Sequence, residues 1–419
     1  MQLSAKKMSH WQQLMCCILL HCVVVSSVFT MKGYAAEPNN QSVYQLAEMA
    51  AFEVGLGKSE QLLAVSLDKN SDDDRARLQL GVVRFLRAVE TFAAGLYQYG
   101  LKTNDSNVMF LRLPVTQNAD PTEIDYTSFL RLLDQFRSNL LVAEQTLAGI
   151  TDDEVKAPVR LAKIELRLGS GRDAKLSLRE VLEVARNRGL PLQDGNEELL
   201  VNFDRGDAAW LRAYCHLLSG IIDVMHAYET SVWFDQVSAG SVFPRVKPVR
   251  DVDGEAEPMR VRLADPIRLH RFRLHMLEVC RLNAETWRHI RAETDDDHEW
   301  LPNAKQTDLF GVPLSDQQID IWLAVMRHLR GILEGQRLVQ SSLLQYVVPG
   351  SPAGKGFSIA KFLDDPPSDL DWDRILANGI DPQYLEDENQ RDVLDILLFL
   401  RLGSVFNGPF GVFSAVRLN

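Results

Sequence analysis

The most constraining feature of the chain is a set of long segments in which apolar residues recur at alternating steps of three and four. Over residues 74–99 the apolar positions are Leu78, Val82, Phe85, Val89, Phe92 and Leu96. Over residues 127–148 they are Phe129, Leu133, Phe136, Leu140, Ala143 and Leu147. This spacing puts the apolar side chains on one face of an α-helix, which must bury that face against other helices.

The same pattern predicts more helices along the rest of the chain. We expect them at residues 154–168, 177–188, 207–228, 266–293, 315–340 and 389–402. Helix starts are indicated by Asp72 to Asp74, by Thr151 with Glu154, by Asp265 before Pro266, and by Ser315 with Gln318. Strand signals are sparse, and the best is GVFSAVRL near the C-terminus. We therefore predict an all-α fold, an irregular multi-helix bundle or array with long loops and little or no sheet.

Residues 1–35 are typical of a secretory signal peptide. Lys6 and Lys7 precede an apolar run over residues 14–29, and small residues lead up to Ala35. A retained membrane anchor is the alternative, but the run is shorter than the roughly 18 to 20 residues of a spanning helix. We expect cleavage after Ala35, export to the periplasm or the extracellular space, and no transmembrane segment after cleavage.

The charge of the chain argues against two classes of partner. Acidic residues outnumber basic ones by 57 to 45, for a formal net charge of −12, and loss of a lysine-bearing signal would make the charge more negative still. An acidic protein is a poor ligand for nucleic acid or an anionic membrane surface. We therefore expect an unknown protein or small-molecule partner, and no nucleic acid.

Three of the five cysteines lie in the signal, which leaves Cys215 and Cys280. Both fall in helical patterns, where a buried thiol is the commoner state, but a single disulfide between them stays open.

The longest irregular stretch, residues 238–264, divides the predicted helices into two regions. It contains Pro244, Pro248 and Pro258, and it separates an N-terminal helical region, 36–237, from a C-terminal one, 265–419. The stretch is either a linker between two domains or an ordered loop that crosses one body.

The segment FDRGDAAWLRAYCHLLSGIIDVMHAYE, residues 203–229, brings together residue types that can perform chemistry. At about 100° per residue, Cys215 falls on the apolar side, whereas His216, Asp223 and His226 fall on the opposite face. His216 and Asp223 are roughly 10 Å apart along the helix, but Asp223 and His226 are close enough to hold one metal ion together. The alternative is a polar face, either solvated or packed against a neighbouring helix.

The Arg-Gly-Asp tripeptide that precedes this helix has a structural interpretation. We predict that Gly206 lets the chain turn and that Asp207 caps the helix that follows.

The predicted helix at 266–293 carries His270 and His275 among several arginines. Such a basic helix in an acidic protein can form an anion groove, or its arginines can pair with carboxylates of neighbouring helices, which we favour. Directly after it, the run Asp295 to Glu299 can bind a divalent cation, although it lacks the glycine and the alternating spacing of a calcium loop.

Three stretches of the chain resemble an uncharacterised family of exported, mostly helical bacterial proteins. They are RARLQLGVVRFLRAVETFAAGLYQYGL, FDRGDAAWLRAYCHLLSG, and EWLPNAKQT followed by IDIWLAVMRHLRGILEGQRLV. The resemblance implies an exported helical protein and brings no catalytic residue. Similar proteins often carry a calcium-loop run of aspartates and glycines where this chain has ELRLGSGRDAKLSLREVL. There Arg167, Gly169 and Ser170 replace the expected carboxylates.

No common enzyme motif occurs in the chain, and no cofactor is evident, although a divalent metal is possible. We therefore expect a soluble, helical binding or interaction protein of the cell envelope. The alternative is a hydrolase or metal-dependent enzyme with its site between the helices at 207–228 and 266–293. Its candidate ligand or metal residues are His216, Asp223, His226, His270 and His275, which would then converge in one pocket.

Overall fold

The structure, a computed structural model, describes residues 42–102, 115–169, 175–180, 199–238, 242–248, 260–306 and 314–394. In these ranges the chain is mostly helical, with a few small strand pairs. The predicted signal peptide and the predicted strand GVFSAVRL lie outside the described residues. So does most of the helix predicted at 177–188, of which residues 178–180 form a helical turn.

The principal elements of the described residues are helices. They are α1 (Val43–Glu53), α2 (Leu56–Lys69), α3 (Asp74–Gln98), α4 (Tyr126–Ala148), α5 (Arg205–Ala227), α6 (Ser231–Ser238), α7 (Pro266–Ile290), α8 (Asp316–Leu333), α9 (Ser341–Val347), α10 (Ile359–Asp364) and α11 (Trp372–Asn378). Short 3-10 turns occur at Leu161–Lys163, Pro382–Tyr384 and Glu388–Gln390.

The strands are short and form small separate sheets. They are β1 (Ala157–Arg160), β2 (Glu165–Arg167), β3 (Lys175–Ser177), β4 (Leu200–Phe203), β5 (Tyr228–Glu229), β6 (Arg260–Leu263), β7 (Arg337–Leu338), β8 (Lys355–Phe357), β9 (Asp369–Asp371), β10 (Leu385–Asp387) and β11 (Asp392–Val393). The antiparallel sheets are β1 with β4, β2 with β3, β8 with β10, and β5, β6 and β9 in that order. The β7–β11 pair is parallel.

Helices that follow one another in the chain pack against one another. The series runs from α1 through α4 to α5, then to α7 and α8, and the contact between α5 and α7 is the most extensive. One hydrophobic cluster extends from Ala47 in α1 to Leu363 in α10. It therefore includes residues on both sides of the 238–264 stretch, whose role as linker or ordered loop stays a prediction.

The apolar stripes that predicted α3 and α4 form the contact between these two helices. Leu78, Leu96 and Leu140 are fully buried, and the rings of Phe92 and Phe136 stack with their centroids 4.6 Å apart. Three of the predicted starts are confirmed: Asp73 caps α3, Asp265 with Pro266 begins α7, and Ser315 with Gln318 forms a capping box on α8. Helices α1 and α2 were not among the predicted helices.

The helix predicted at 154–168 is wrong, because this segment forms β1, a 3-10 turn and β2. Pro158 lies inside β1 and would interrupt a helix, while Ala157 and Val159 alternate with less buried neighbours, as expected of a strand. Thr151 does not cap a helix either. Its backbone N–H and its hydroxyl both donate to Asp74 Oδ2, at 2.7 and 3.1 Å.

Two predicted helices near the C-terminus also need correction. The helix predicted at 315–340 ends at Leu333, and Gly335, at a φ of 76°, turns the chain into β7. The helix predicted at 389–402 starts instead as a 3-10 turn followed by β11, and residues beyond 394 lie outside the described ranges. The fold is thus mostly helical, but it contains more sheet than predicted, because short strands of two to four residues give no readable period.

Both cysteines outside the predicted signal are buried and free. Cys215 lies in α5 and Cys280 in α7, and burial raises the pKa of the Cys280 thiol to about 12. None of the helices in the described ranges combines the length and the apolar character needed to cross a membrane.

Candidate metal centre

The polar face of α5 lies against α4 and α7. His216 and His275 meet with their Nδ1 atoms 2.8 Å apart, and His275 Nε2 lies 3.6 Å from Asp223 Oδ2. His275 therefore contacts both His216 and Asp223, although these two residues lie two turns apart on α5. Of the two alternatives for this face, solvated or packed against a neighbouring helix, the structure shows the second.

Asp223 is fully buried, and arginines compensate its charge. Arg268 Nη1 donates to Asp223 Oδ1 at 2.8 Å, and Arg137 Nε lies 3.8 Å from the same oxygen. Arg268 also holds Asp134 on α4, at 2.9 Å. A carboxylate already neutralised by guanidinium groups gains little from a cation, so the contacts of Asp223 are those of a structural ion pair.

His226 has different partners from Asp223. Its Nε2 lies 3.3 Å from Asp134 Oδ2 and 3.2 Å from the carbonyl oxygen of Leu130, and its Nδ1 lies 2.9 Å from the carbonyl oxygen of Ile222. The two residues that the sequence suggested as a ligand pair are thus linked only indirectly, through Asp134 and Arg268.

His270 does not join this group. Its side chain is 56% exposed and lies 3.8 Å from Asp364 of α10. His275, in contrast, is buried, and this burial together with the charge of His216 lowers its pKa to about 4. His275 is therefore uncharged near neutral pH, and the two imidazoles share one hydrogen bond.

Most of the arginines over residues 266–293 pair with carboxylates. The pairs are Arg268 with Asp134 and Asp223, Arg273 with Asp364, Arg281 with Glu278 and Glu285, and Arg291 with Asp320. For these four arginines the ion-pair interpretation is confirmed.

A different group of acids gathers where α5 begins and where the chain leaves α7. We call Asp204, Asp207, Glu293 and Glu299 the acidic cluster. One carboxylate oxygen each from Asp204, Glu293 and Glu299 lie within 4.8 Å of one another. Asp207 is next to them, since the charges of the other three all act on its pKa.

The start of α5 positions two members of the acidic cluster. Asp204 follows β4 and caps the helix, because its Oδ1 accepts a hydrogen bond from the Asp207 N–H at 3.0 Å. Asp207 Oδ2 accepts from the Asp204 N–H at 3.3 Å in return. The predicted position of the cap is wrong, since the N-cap is Asp204, three residues earlier, but the Asp207 side chain does complete the capping box. Gly206 is inside the first helical turn, where a Cβ would lie 2.8 Å from Ile290 Cγ1 of α7.

The loop after α7 positions the other two members. Glu293 Oε2 accepts a hydrogen bond from Gln306 Nε2 at 3.0 Å, while its Oε1 is buried and has no hydrogen-bond partner among the described residues. Glu299 Oε1 accepts from the Asp297 N–H at 3.3 Å. In each of these two side chains, a hydrogen bond to one carboxylate oxygen therefore fixes the orientation.

The acidic cluster is buried, and aromatic residues are next to two of its members in the sequence. Asp204, Asp207 and Glu299 are only 7%, 2% and 2% exposed. Their sequence neighbours Phe203 and Trp300 have ring centroids 5.5 Å apart, and Trp300 also packs on Trp210 at 5.4 Å. Burial of this degree disfavours the charged form of a carboxyl group.

No lysine, arginine or histidine of the described residues forms an ion pair with any of the four acids. Elsewhere the buried carboxylates do have such partners. Glu144, for example, is held by Arg212 Nε at 3.0 Å; burial tends to raise its pKa, but His216 and Arg212 bring it below the usual range.

The uncompensated acids behave in the opposite way. Burial, and after it the nearby Asp204 carboxylate, raises the pKa of Glu293 to about 9 and that of Glu299 to about 8. Burial raises the pKa of Asp207 well above its usual range too, and the charge of Asp204 adds to the effect. The acidic cluster therefore holds protons, or needs another source of positive charge, at neutral pH.

The acidic run identified in the sequence lies beside this cluster. Oxygens of Asp295, Asp297 and Glu299 lie within 4.8 Å of one another, but Lys156 pairs with both Asp295 and Asp297, the latter at 3.0 Å. His298, between them, has a φ of 82°, which non-glycine residues rarely adopt. Asp297 is thus compensated on one side of this turn, while Glu299 is buried in the acidic cluster.

Sequence reasoning found one part of the acidic cluster and missed the rest. Glu299 was within the run proposed for a cation, but Asp204, Asp207 and Glu293 were not recognised as ligands. Asp204 and Asp207 form an Asp-x-x-Asp pattern before a helix, which reads as capping. No family model, curated protein or solved structure matches the chain.

Proposed function

We propose that the protein is an exported, mostly helical binding protein that holds a divalent cation, calcium by preference, in the acidic cluster. The observation that carries the proposal is the convergence of Asp204, Glu293 and Glu299 within 4.8 Å without a basic partner among the described residues. Export is supported by the signal-like residues 1–35 and by the resemblance to exported bacterial proteins.

The physical argument begins with the cost of burying like charges. Carboxylates taken out of water and placed side by side cannot all remain ionised. Either protons neutralise them, which the raised pKa values of Glu293 and Glu299 reflect, or a cation does. A divalent ion supplies two positive charges at one point and can replace those protons.

The donor set favours calcium. Only oxygen ligands converge here, and hard cations prefer these, whereas zinc and copper favour imidazole or thiolate. Magnesium keeps several of its waters and demands an octahedral shell, which suits a wet site better than one enclosed by protein. Calcium accepts six to eight oxygens in a flexible geometry, so carboxylates from two separate segments are compatible with it.

The burial of the acidic cluster favours binding over catalysis. A catalytic metal needs a coordination position open to substrate. Asp207 and Glu299 are almost wholly enclosed, so an ion here would join the start of α5 to the loop after α7. The alternative, a metal-dependent hydrolase between these two helices, has less support from the same contacts.

Terbium luminescence tests the proposal directly. Tb³⁺ replaces Ca²⁺ and emits when a nearby indole transfers energy to it, and Trp300 lies next to Glu299 in the chain. We expect protein freed of metal with EGTA to sensitise Tb³⁺, Ca²⁺ to compete, and Ca²⁺ to raise the melting temperature. Trp300→Phe should weaken the emission without weakening calcium binding by calorimetry.

Two double variants locate the ion. Glu293→Gln with Glu299→Gln should abolish calcium binding in calorimetry. Asp295→Asn with Asp297→Asn makes the same charge change in the pair held by Lys156, and it should leave the calcium affinity within about twofold of the wild type. Absence of calcium heat and of terbium emission in the wild type would refute the proposal. Loss of binding only in the second variant would move the site to the exposed acidic run.

A further inference from the structure

A cleft of about 350 Å³ lies between α7 and α8. The lining of the cleft combines bases and apolar groups: Cys280, Asn283, Ala284, Trp287, Arg288, Arg291, Leu323, Met326, Arg327 and Arg330. Its volume is in the range of pockets that hold small organic ligands. Four arginines around one cleft are unexpected in a chain with a net charge of −12.

The four arginines are not equally engaged. Arg291 pairs with Asp320 and Arg330 with Glu334, each at 2.7 Å. Arg327 forms no hydrogen bond or ion pair with any described residue, and Arg288 Nη2 contacts the neighbouring His289 Nε2 at 2.7 Å. Two guanidinium groups, one from each helix, thus lack a carboxylate partner within the described part of the chain.

The floor of the cleft is apolar. Trp287 and Met326 are buried, and Leu323 is partly buried beside them. Trp287 and Arg288 are consecutive on α7, as are Met326 and Arg327 on α8. Each helix therefore supplies an apolar surface with a cationic group directly beside it, which matches a ligand that has an apolar body and an anionic end.

We propose that this cleft binds a small amphipathic organic anion, a carboxylate or phosphate monoester with an alkyl or aromatic body. Arg288 and Arg327 bind the anionic group, since guanidinium groups form paired, charge-assisted hydrogen bonds with such oxyanions. The apolar body lies on Ala284 and Leu323, which are exposed or partly exposed above the buried side chains of Trp287 and Met326. The site uses no member of the acidic cluster, and so it is independent of the proposed calcium site.

The experiment uses anilinonaphthalene sulfonate, an amphipathic anion whose fluorescence rises in apolar surroundings, with the full purified protein. We expect saturable binding that dodecanoate displaces and that inorganic phosphate at equal concentration does not. Phenylnaphthylamine, an uncharged relative of the probe, should bind at least about tenfold more weakly, because it cannot use the arginines. Equal binding of the charged and uncharged probes would overturn the proposal, and so would displacement by phosphate as effective as by dodecanoate.

Variants of the arginines test the position of the site. Arg288→Gln with Arg327→Gln should weaken probe binding by about tenfold or more, while Arg131→Gln with Arg374→Gln, the same charge change at exposed residues elsewhere, should leave it unchanged. Ala284→Trp, which fills the cleft and keeps its charge, should also abolish binding. A matching loss in the control pair, or full binding in Ala284→Trp, contradicts the proposal; melting curves verify that each variant is folded.

Discussion

Asp204 and Asp207 each accept a hydrogen bond from the backbone N–H of the other. The two bonds, 3.0 and 3.3 Å long, close a reciprocal cap on α5. The same two side chains belong to the acidic cluster, where burial, and after it the charge of Asp204, raises the pKa of Asp207 well above its usual range. One pair of residues thus begins the helix and also creates a local excess of negative charge, and these two effects can be measured separately.

The cap is isolated by comparing Asp204→Asn with Asp204→Ala. Both variants remove the charge, but asparagine keeps an oxygen that can accept the Asp207 N–H. We expect Asp204→Ala to be less stable than Asp204→Asn by about 1 kcal/mol in urea unfolding. Equal stability of the two variants would show that the hydrogen bond contributes nothing.

Above about pH 7 the free energy of unfolding of the metal-free protein should fall as the pH rises. The pKa values of Glu293 and Glu299 are about 9 and 8 in the folded chain, above the usual 4.5. At pH values between 4.5 and these folded values, the native state therefore binds more protons than the unfolded state. Stability from these groups is therefore fully present below about pH 4.5 and is lost up to about pH 9. Denaturant unfolding in EGTA at a series of pH values measures this loss.

Glu293→Gln should flatten this pH dependence, because the amide cannot release a proton. Glu386→Gln is the control, since the pKa of Glu386 is shifted downward, against the effect of its burial, by Lys361 and Arg391. Saturating calcium should also flatten the curve for the wild type, because the ion displaces the same protons. A slope unchanged by Glu293→Gln would argue against the raised pKa.

The buried pair of Asp223 and Arg268 should contribute far more to stability than an exposed pair. Asp223→Asn leaves guanidinium charge in a buried setting, and we expect a loss of about 3 kcal/mol in the free energy of unfolding. Glu334→Gln breaks the exposed pair with Arg330 and should cost less than about 1 kcal/mol. Similar losses for both variants would mean that water reaches the α5–α7 interface.

We expect an added methyl group to have opposite effects on stability at two glycines. A Cβ at Gly81 would lie 2.3 Å from Leu147 Cδ2 in the α3–α4 contact, so Gly81→Ala should destabilise the protein by about 1 to 3 kcal/mol. At Gly57 in α2 the nearest atom would be 3.9 Å away, so Gly57→Ala should stabilise it by about 0.5 to 1 kcal/mol. Thermal unfolding of both variants checks the sign.

The sequence was most informative where local signals agreed with one another. The apolar stripe of α3 and the caps at Asp73, Asp265 and Ser315 together specify helices whose starts the structure confirms. It was least informative over residues 154–168, where apolar spacing suited a helix. There the position of Pro158 and the partner strand β4, from another part of the chain, decide the structure.

The acidic cluster could be predicted only in part, for a related reason. Glu299 is in a visible run of acids, but Asp204 and Glu293 come near it only because β4 and the end of α7 approach each other in the fold. In the same way His216 and His275 belong to different helices, and no spacing within one segment relates them. Local periodicity gives the face of a residue, whereas its partners depend on tertiary packing.

The polar contacts between α5 and α7 also determine how these two helices are aligned along their length. Leucines and alanines tolerate sliding by one turn, since one apolar contact replaces another. His275, however, meets both His216 and Asp223, and Arg268 must reach Asp223 at the same time. A shift of one helical turn would leave a buried charge without its partner. These charged groups and imidazoles therefore fix the register of α5 and α7, the most extensive helix pair in the described fold.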